Sequence, residues 1–270
     1  MINLPHSSVR REFQTAQLQR LGLEFELVEA VSSASFSESK QAEAQYQTLA
    51  NTWQRPMRKT EVACFLSHQK AWQRVYDEKQ PCLIIEDDAL FSHKMPQLLA
   101  SLKSLSDIDL VTLEVRSRKK IVSKKQYELC CESHLLELFQ DRTGAAAYVL
   151  WPSGAEELLV KAALGQIGLA DAFISSSYQL RAFQLEPAAV IQLDQCTQYH
   201  VKNEACQRQT LAAQSTITPH ETLHPDANNM VSTLGFKIKR LAAQLSMGVR
   251  QLSVLYKSQR RFVRLNPDDF

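Results

Sequence analysis

Leu83-Ile84-Ile85-Glu86-Asp87-Asp88-Ala89-Leu90-Phe91 decides the fold, because an apolar, β-branched run passes directly into three consecutive acids. Adjacent carboxylates do not cross a core, since an unpaired buried charge is expensive or shifts its pKa until it is neutral. The strand therefore ends at Glu86, and the acids face something cationic. In an α/β protein, ligands bind at the carboxyl ends of strands. Hard oxygen ligands there suit a divalent cation holding a phosphorylated substrate. A solvated acidic turn is the competing reading. If the extended backbone persists, alternation puts Glu86 and Asp88 on one side and Asp87 on the other.

Working outward, Thr60 and Glu61 open a helix over about residues 60–76, with Val62, Phe65, Leu66, Ala71, Trp72 and Val75 as its buried face. Pro81 then starts the acidic strand where a missing N–H is tolerated. Residues 1–4 read as a first strand, 9–21 as a helix stopped by Gly22, and 25–28 as a second strand, which is the βαβ order of a parallel sheet. Residues 32–58 are polar without apolar period and read as a surface insertion outside the core. Further on, 98–105 is helical, 108–114 is a strand ending in Glu114, and 116–125 is a solvated basic loop. Residues 145–151 form a strand, 154–164 a helix capped by Ser153, and 187–192 a last strand. The expectation is an α/β fold with a mostly parallel central sheet flanked by helices.

The chain has 270 residues, 44% of them hydrophobic, enough for one large domain with an appendage. Seven glycines and the lack of G-x-G-x-x-G or P-loop patterns argue against a glycine-rich nucleotide fold. A net charge of +2 gives no case for nucleic acid as a partner. The six cysteines form no CxxC pair, so zinc spacing is missing; Cys64 and Cys82 read as core residues, and all six as reduced thiols. Met1-Ile2-Asn3-Leu4 lacks a signal-peptide pattern, and no apolar run approaches the roughly 20 residues that span a bilayer, so an intracellular location is expected. Trp72 and Trp151 read as core.

The last fifty residues differ. Between Asp226 and Asp268 there is no acid, while Lys237, Lys239, Arg240, Arg250, Lys257, Arg260, Arg261 and Arg264 accumulate. Ile238, Leu241, Leu245, Leu252, Leu255 and Phe262 recur near helical spacing, as on an interfacial membrane helix or a helix packed on the domain. The expected division is a main domain over residues 1–218 and a basic amphipathic helical tail over 219–270.

Taken together, Ile2-Asn3-Leu4 with Arg10-Arg11, the 21–26 segment, Glu61-Val62-Ala63-Cys64-Phe65-Leu66-Ser67-His68, Glu86-Asp87-Asp88, Gly144-Ala145-Ala146-Ala147-Tyr148 and Ala170-Asp171 resemble glycosyltransferase family 25, the bacterial lipopolysaccharide and lipooligosaccharide enzymes. The likeness covers about residues 1–192. It implies a GT-A-like fold and an inverting, metal-dependent hexosyltransferase, most simply moving galactose from its uridine diphosphate (UDP) conjugate to a lipooligosaccharide core glycolipid. It also implies Mn²⁺ or Mg²⁺ on Asp88 and Glu86, a UDP-sugar donor, and work at the cytoplasmic face of a bacterial inner membrane, where cationic side chains gain about 1 kcal/mol each.

Asp171 is the candidate base for the acceptor hydroxyl and Glu114 the second; an N-terminal helix position and a solvated strand end are their structural alternatives. Arg10 and Arg11 are candidate phosphate contacts, and Ser67, His68 and Asp87 candidate pocket residues. A metal-dependent phospho- or nucleotidyltransferase and a non-catalytic glycolipid-binding module are the rival readings.

Overall fold

Neighbouring residues of the acidic strand enter two different cores: Ile84 packs with Phe65 and Trp72, and Ile85 with Met95 and Leu98. This split organises the protein. The computed structural model describes residues 1–141, 144–165, 167–207 and 230–270. Its helices are α1 Ser8–Arg20, α2 Lys40–Ala50, α3 Lys59–Glu78, α4 Met95–Lys103, α5 Pro152–Ala163, α6 Ala170–Ser175, α7 Glu204–Gln207 and α8 Met230–Val254. Its strands are β1 Ile2–Asn3, β2 Val28–Glu29, β3 Cys82–Ile85, β4 Ala89–Phe91, β5 Leu110–Thr112, β6 Lys120–Ser123, β7 Tyr127–Glu128, β8 His134–Gln140, β9 Ala147–Leu150, β10 Ala182–Glu186, β11 Val190–Gln192 and β12 Ser258–Arg261.

The main sheet runs β12-β6-β8-β10-β5-β9-β3, with β7 beside β8. Leu110, Tyr148 and Leu150 join Ile84 on the face covered by α3 and α5, while Val111, Ala147 and Val149 join Ile85 on the face covered by α4 and α1. Period-two alternation thus gives a helix-sheet-helix sandwich. The sheet is mixed, which corrects the mostly parallel expectation. Among the described pairings in it, β10 on β5 is parallel and the rest are antiparallel. The cause lies between residues 120 and 150, where β6 to β9 follow one another with no helix among the described residues to carry a parallel crossover. The opening βαβ unit is present but small, a parallel pairing of Ile2 with Val28 and Asn3 with Glu29; Phe25 and Leu27 stay exposed instead of entering a strand.

Three further expectations are corrected. Residues 32–58 contribute to the core through Phe36, Tyr46, Ala50 and Met57, and the Tyr46 hydroxyl donates to Met57 O at 2.8 Å. Residues 116–125 are no simple solvated loop: four of them form β6, and Lys120 is 1% exposed, paired with Asp141 at 2.5 Å and donating to Gln184 Oε1 at 2.7 Å. A buried ammonium needs such partners. Cys196 and Cys206 form a disulfide, against the reading of six reduced thiols, and bridges of this kind persist in oxidising compartments.

The expected tail is α-helical as far as Val254, followed by a 3-10 turn over Leu255–Lys257. Its last strand, β12, pairs antiparallel with β6, and Arg261 grips the buried Glu186 carboxylate with both terminal nitrogens at 2.5 Å. The chain end is therefore part of the sheet. The boundary expected at residues 218 and 219 lies outside the described residues. No helix among those described is long and apolar enough to cross a membrane.

Candidate functional site

Beyond β3, the Glu86 amide still donates to Ala146 O at 2.8 Å, so the alternation continues one step past the strand. Glu86 accordingly faces α3 and Asp87 faces α1. Asp87 accepts from Asn3 Nδ2 at 2.8 Å and Arg10 Nη1 at 2.9 Å, so it fastens the first strand and first helix to the acidic turn. Burial raises the Asp87 carboxyl pKa and Arg10 opposes it, with a net rise.

Asp88 turns toward β11, where Gln192 Nε2 is 3.4 Å from Oδ1, and Arg10 is 3.9 Å from Oδ2. Gln192 in turn accepts from Arg116 Nη1, and Arg116 Nη2 donates to Asp194 at 2.7 Å. The Asp88 carboxyl is pushed up to about 7, first by burial and then by the charge of Glu86. Two carboxylates crowded into one cleft are relieved by a cation. Their hard oxygens fit Mn²⁺ or Mg²⁺, so Asp88 and Glu86 could hold such an ion.

His68, one of the residues α3 buries, orients Glu86. Its Nε2 is 3.1 Å from Glu86 Oε1 and its Nδ1 3.0 Å from the Tyr148 hydroxyl, which accepts from Trp72 Nε1 at 2.8 Å. The Glu86 carboxylate only accepts, which assigns the ring proton to Nε2 and leaves Nδ1 to accept from the tyrosine hydroxyl. A neutral imidazole then carries its own proton on Nε2 and donates to Glu86. Ser67, next along α3, accepts from Val31 N at 2.9 Å and donates to Ala63 O at 2.7 Å, pinning the 30–33 loop.

These groups line one cleft of about 840 Å³, with Asn3, Arg10, Ser67, His68, Asp88 and Arg116 on its walls. Glu86 and Asp87 also border it. Of the residues predicted from sequence, Arg10, Ser67, His68, Glu86, Asp87 and Asp88 come together there. Arg11 is not among the lining residues. Glu114 is fully buried: Oε1 accepts from Ala146 N at 2.7 Å, and Oε2 has no hydrogen-bond partner among the described residues. Burial pushes the Glu114 carboxyl up to about 8, so it is no solvated strand end. Asp171 sits in the first turn of α6, accepting from Ala172 N at 2.7 Å, and lines a separate cavity of about 40 Å³ with Phe139, Tyr178 and Arg250. Burial raises its pKa, with Glu86 adding to the rise.

Sequence reasoning missed Cys64, Arg116, Tyr148 and Gln192. Cys64 is not a core residue; it lines the cleft one helical turn before His68, a spacing visible in the sequence. Nothing local marks Gln192 or Arg116, because only the fold brings β11 and the 116 turn to Asp88.

Comparison with known proteins gives a consistent neighbourhood. The profile of "Glycosyltransferase family 25 (LPS biosynthesis protein)" matches residues 1–174. Human procollagen galactosyltransferase 2 is 26% identical over 214 residues, covering 70% of this chain and 34% of that protein. The mouse protein of the same name is 33% identical over 119 residues, 42% of this chain and 19% of that protein. A glycosyltransferase 25 family member of Anopheles gambiae is 26% identical over 183 residues, 64% of this chain and 30% of that protein. The chain thus spans about a third or less of the length of these relatives.

Proposed function

Since the chain belongs to glycosyltransferase family 25, we propose that it transfers a hexose, most simply galactose from UDP-galactose, to a core sugar of a lipooligosaccharide or lipopolysaccharide acceptor. The galactose choice is supported by the procollagen galactosyltransferases among its relatives. The observation that carries the reading is the convergence of Glu86, Asp88 and Arg10 in a cleft large enough for a nucleotide sugar.

In this reading Asp88 and Glu86 hold a divalent cation, which when bound offsets the negative charge of a departing nucleoside diphosphate. His68 keeps Glu86 turned into the cleft, and Arg10 and Arg116 supply guanidinium donors for phosphate oxygens at its rim. Asp171 is the proposed proton acceptor for the attacking hydroxyl, inverting the sugar; its raised proton affinity favours that role. The acceptor then approaches from the side of α6 and α8.

Peripheral association with an anionic membrane is part of the proposal. Helix α8 turns Leu234, Ile238, Leu241, Leu245, Val249 and Leu252 outward, each more than half exposed, among basic residues with no acid. That surface suits an interface of apolar chains and anionic headgroups.

The deciding experiment incubates the full chain with Mn²⁺ and a panel of UDP-hexoses. Release of UDP and free sugar, fastest with UDP-galactose, is the expected result; transfer of the nucleotide itself would overturn the reading.

A further inference from the structure

Cys64 and His68 lie one turn apart on the cleft side of α3, and Glu86 comes to meet them from the end of β3. The Cys64 sulfur, a ring nitrogen of His68 and a carboxylate oxygen of Glu86 all lie within 4.8 Å of one another. All three residues line the open cleft, so an ion can reach them from solvent. The geometry points to a second metal site, distinct from the hard-oxygen pair: Cys64, His68 and Glu86 bind Zn²⁺ and share Glu86 with Asp88's cation.

The donor chemistry selects the ion. A thiolate, an imidazole and a carboxylate suit borderline-soft Zn²⁺, and three protein ligands leave its fourth position open toward the cleft. Mg²⁺ and Mn²⁺ favour all-oxygen surroundings and gain little from the sulfur. The local field favours a cation as well. The carboxylates of Glu86, Asp171 and Asp88 near Cys64 attract a metal, which must displace the thiol proton that burial first and then those charges hold more tightly.

The protons balance. On binding, the Cys64 S–H bond breaks, its proton leaves to solvent, and the sulfur binds the metal as thiolate. His68 moves its own proton from Nε2 to Nδ1 and presents the freed Nε2 lone pair. The Tyr148 oxygen, which accepts from Trp72, has a second lone pair for the Nδ1 proton. One proton is released per ion, and no electrons move. Because Glu86 cannot serve both ions fully, Zn²⁺ displaces Mn²⁺; only this consequence rests on the proposed function.

The test uses Co²⁺ alone as a spectroscopic probe on the full chain. The expected result is a thiolate-to-cobalt charge-transfer band with intense visible bands of tetrahedral Co²⁺, bleached by Zn²⁺. Cys64→Ser removes the charge-transfer band and weakens Zn²⁺ binding more than about tenfold, whereas the double variant Cys130→Ser, Cys131→Ser keeps both. Cys64→Ala serves as a second variant, and circular-dichroism melts establish that each is folded. An octahedral spectrum without the band, a band that survives in folded Cys64→Ser or Cys64→Ala, or one lost with Cys130 and Cys131 overturns the site. Electron paramagnetic resonance of bound Mn²⁺ tests the sharing: Zn²⁺ should release the ion, and Mn²⁺ that stays bound beside Zn²⁺ overturns it. A chain that hydrolyses no UDP-sugar but gives the cobalt spectrum separates failure of the proposed function from failure of this site.

Discussion

The Tyr148 hydroxyl meets His68 Nδ1 across 3.0 Å, and this contact holds the ring with Nε2 toward Glu86. The arrangement is a line of single-purpose hydrogen bonds from Trp72 to the cleft. Tyr148→Phe breaks the line at its centre. It strands the buried Trp72 N–H and His68 Nδ1, and a lost partner of this kind costs about 1–3 kcal/mol. It also releases the His68 tautomer, so Glu86 loses its fixed orientation. Urea unfolding should show the stability loss, and Mn²⁺ titration of UDP-galactose hydrolysis should show roughly tenfold weaker cation affinity. An unchanged Mn²⁺ requirement in the folded variant would remove His68 from the argument.

Arg10 and Asp87 form a largely buried pair, with side-chain exposures of 11% and 13%. Arg10→Ala leaves Asp87 with Asn3 as its remaining named donor in a desolvated setting. Breaking a buried pair from one side costs about 3 kcal/mol. Arg10→Ala, Asp87→Asn should recover a good part of that loss, because the uncompensated charge is gone. If the double variant unfolds as readily as the single one in denaturant, the pair is not what joins α1 to the acidic turn.

Glu114 makes a pH prediction with a definite sign. Its carboxyl titrates at about 8 in the fold against 4.5 in a free chain. Between these values the unfolded chain has released a proton that the native protein still holds. Stability therefore falls as pH rises through this window, and the loss is complete above about 8. Glu114→Gln removes the titration. The stability of the variant relative to the parent should rise by a few kcal/mol between about pH 5 and about pH 8.5, at about 1.4 kcal/mol per pKa unit. A difference that stays flat across that range would mean the carboxyl is not held neutral.

The acids after β3, the helix before them and the two-sided burial of the strand were legible because each depends on local pattern: a β-branched run, a helical apolar stripe and period-two alternation. Glu114 shows the limit of that legibility. Its place at a strand end suggests solvent, yet Gly144 leaves so little room beside it that an added Cβ would stand 2.5 Å from the carboxyl carbon. The burial is created by a chain segment thirty residues away. Strand β12 is the other case. Ser-Gln-Arg-Arg carries no apolar alternation, and the strand joins β6 through backbone pairing and the Arg261 grip on Glu186. Sheet direction was misjudged for a related reason, since pairing partners are chosen by the connections between strands rather than by their composition.

Asp88→Asn separates cation binding from folding. Asparagine keeps the shape of the side chain and its contact with Gln192, but removes one of the two charges crowded beside Glu86. Without added metal the variant should melt at or above the temperature of the parent. Its Mn²⁺-supported UDP-galactose hydrolysis should fall by at least about a hundredfold, in the range seen when an electrostatic group is removed from a reacting centre. A variant that melts lower and keeps its turnover would assign Asp88 to the scaffold instead.

The surface of α8 gives the last prediction. Its domain-facing side holds on by polar contacts, Lys239 Nζ to Asn51 O and Thr52 O at 3.0 Å and Gln251 to Gln140 at 2.7 Å, with Val254 buried at its end. The outer side carries the apolar row from Leu234 to Leu252, so replacing Leu241 and Leu245 there disturbs little packing. Leu241→Asp, Leu245→Asp puts two acids into the row and repels anionic headgroups. The parent should sediment with vesicles containing phosphatidylglycerol and leave those of pure phosphatidylcholine in solution, with binding weakened by salt because the basic residues act at the range of a Debye length. The double variant should stay in the supernatant with an unchanged melting temperature. If it pellets like the parent, the apolar row is not the membrane contact. If light scattering shows a parent dimer that the variant loses, a second copy covers the row in place of lipid.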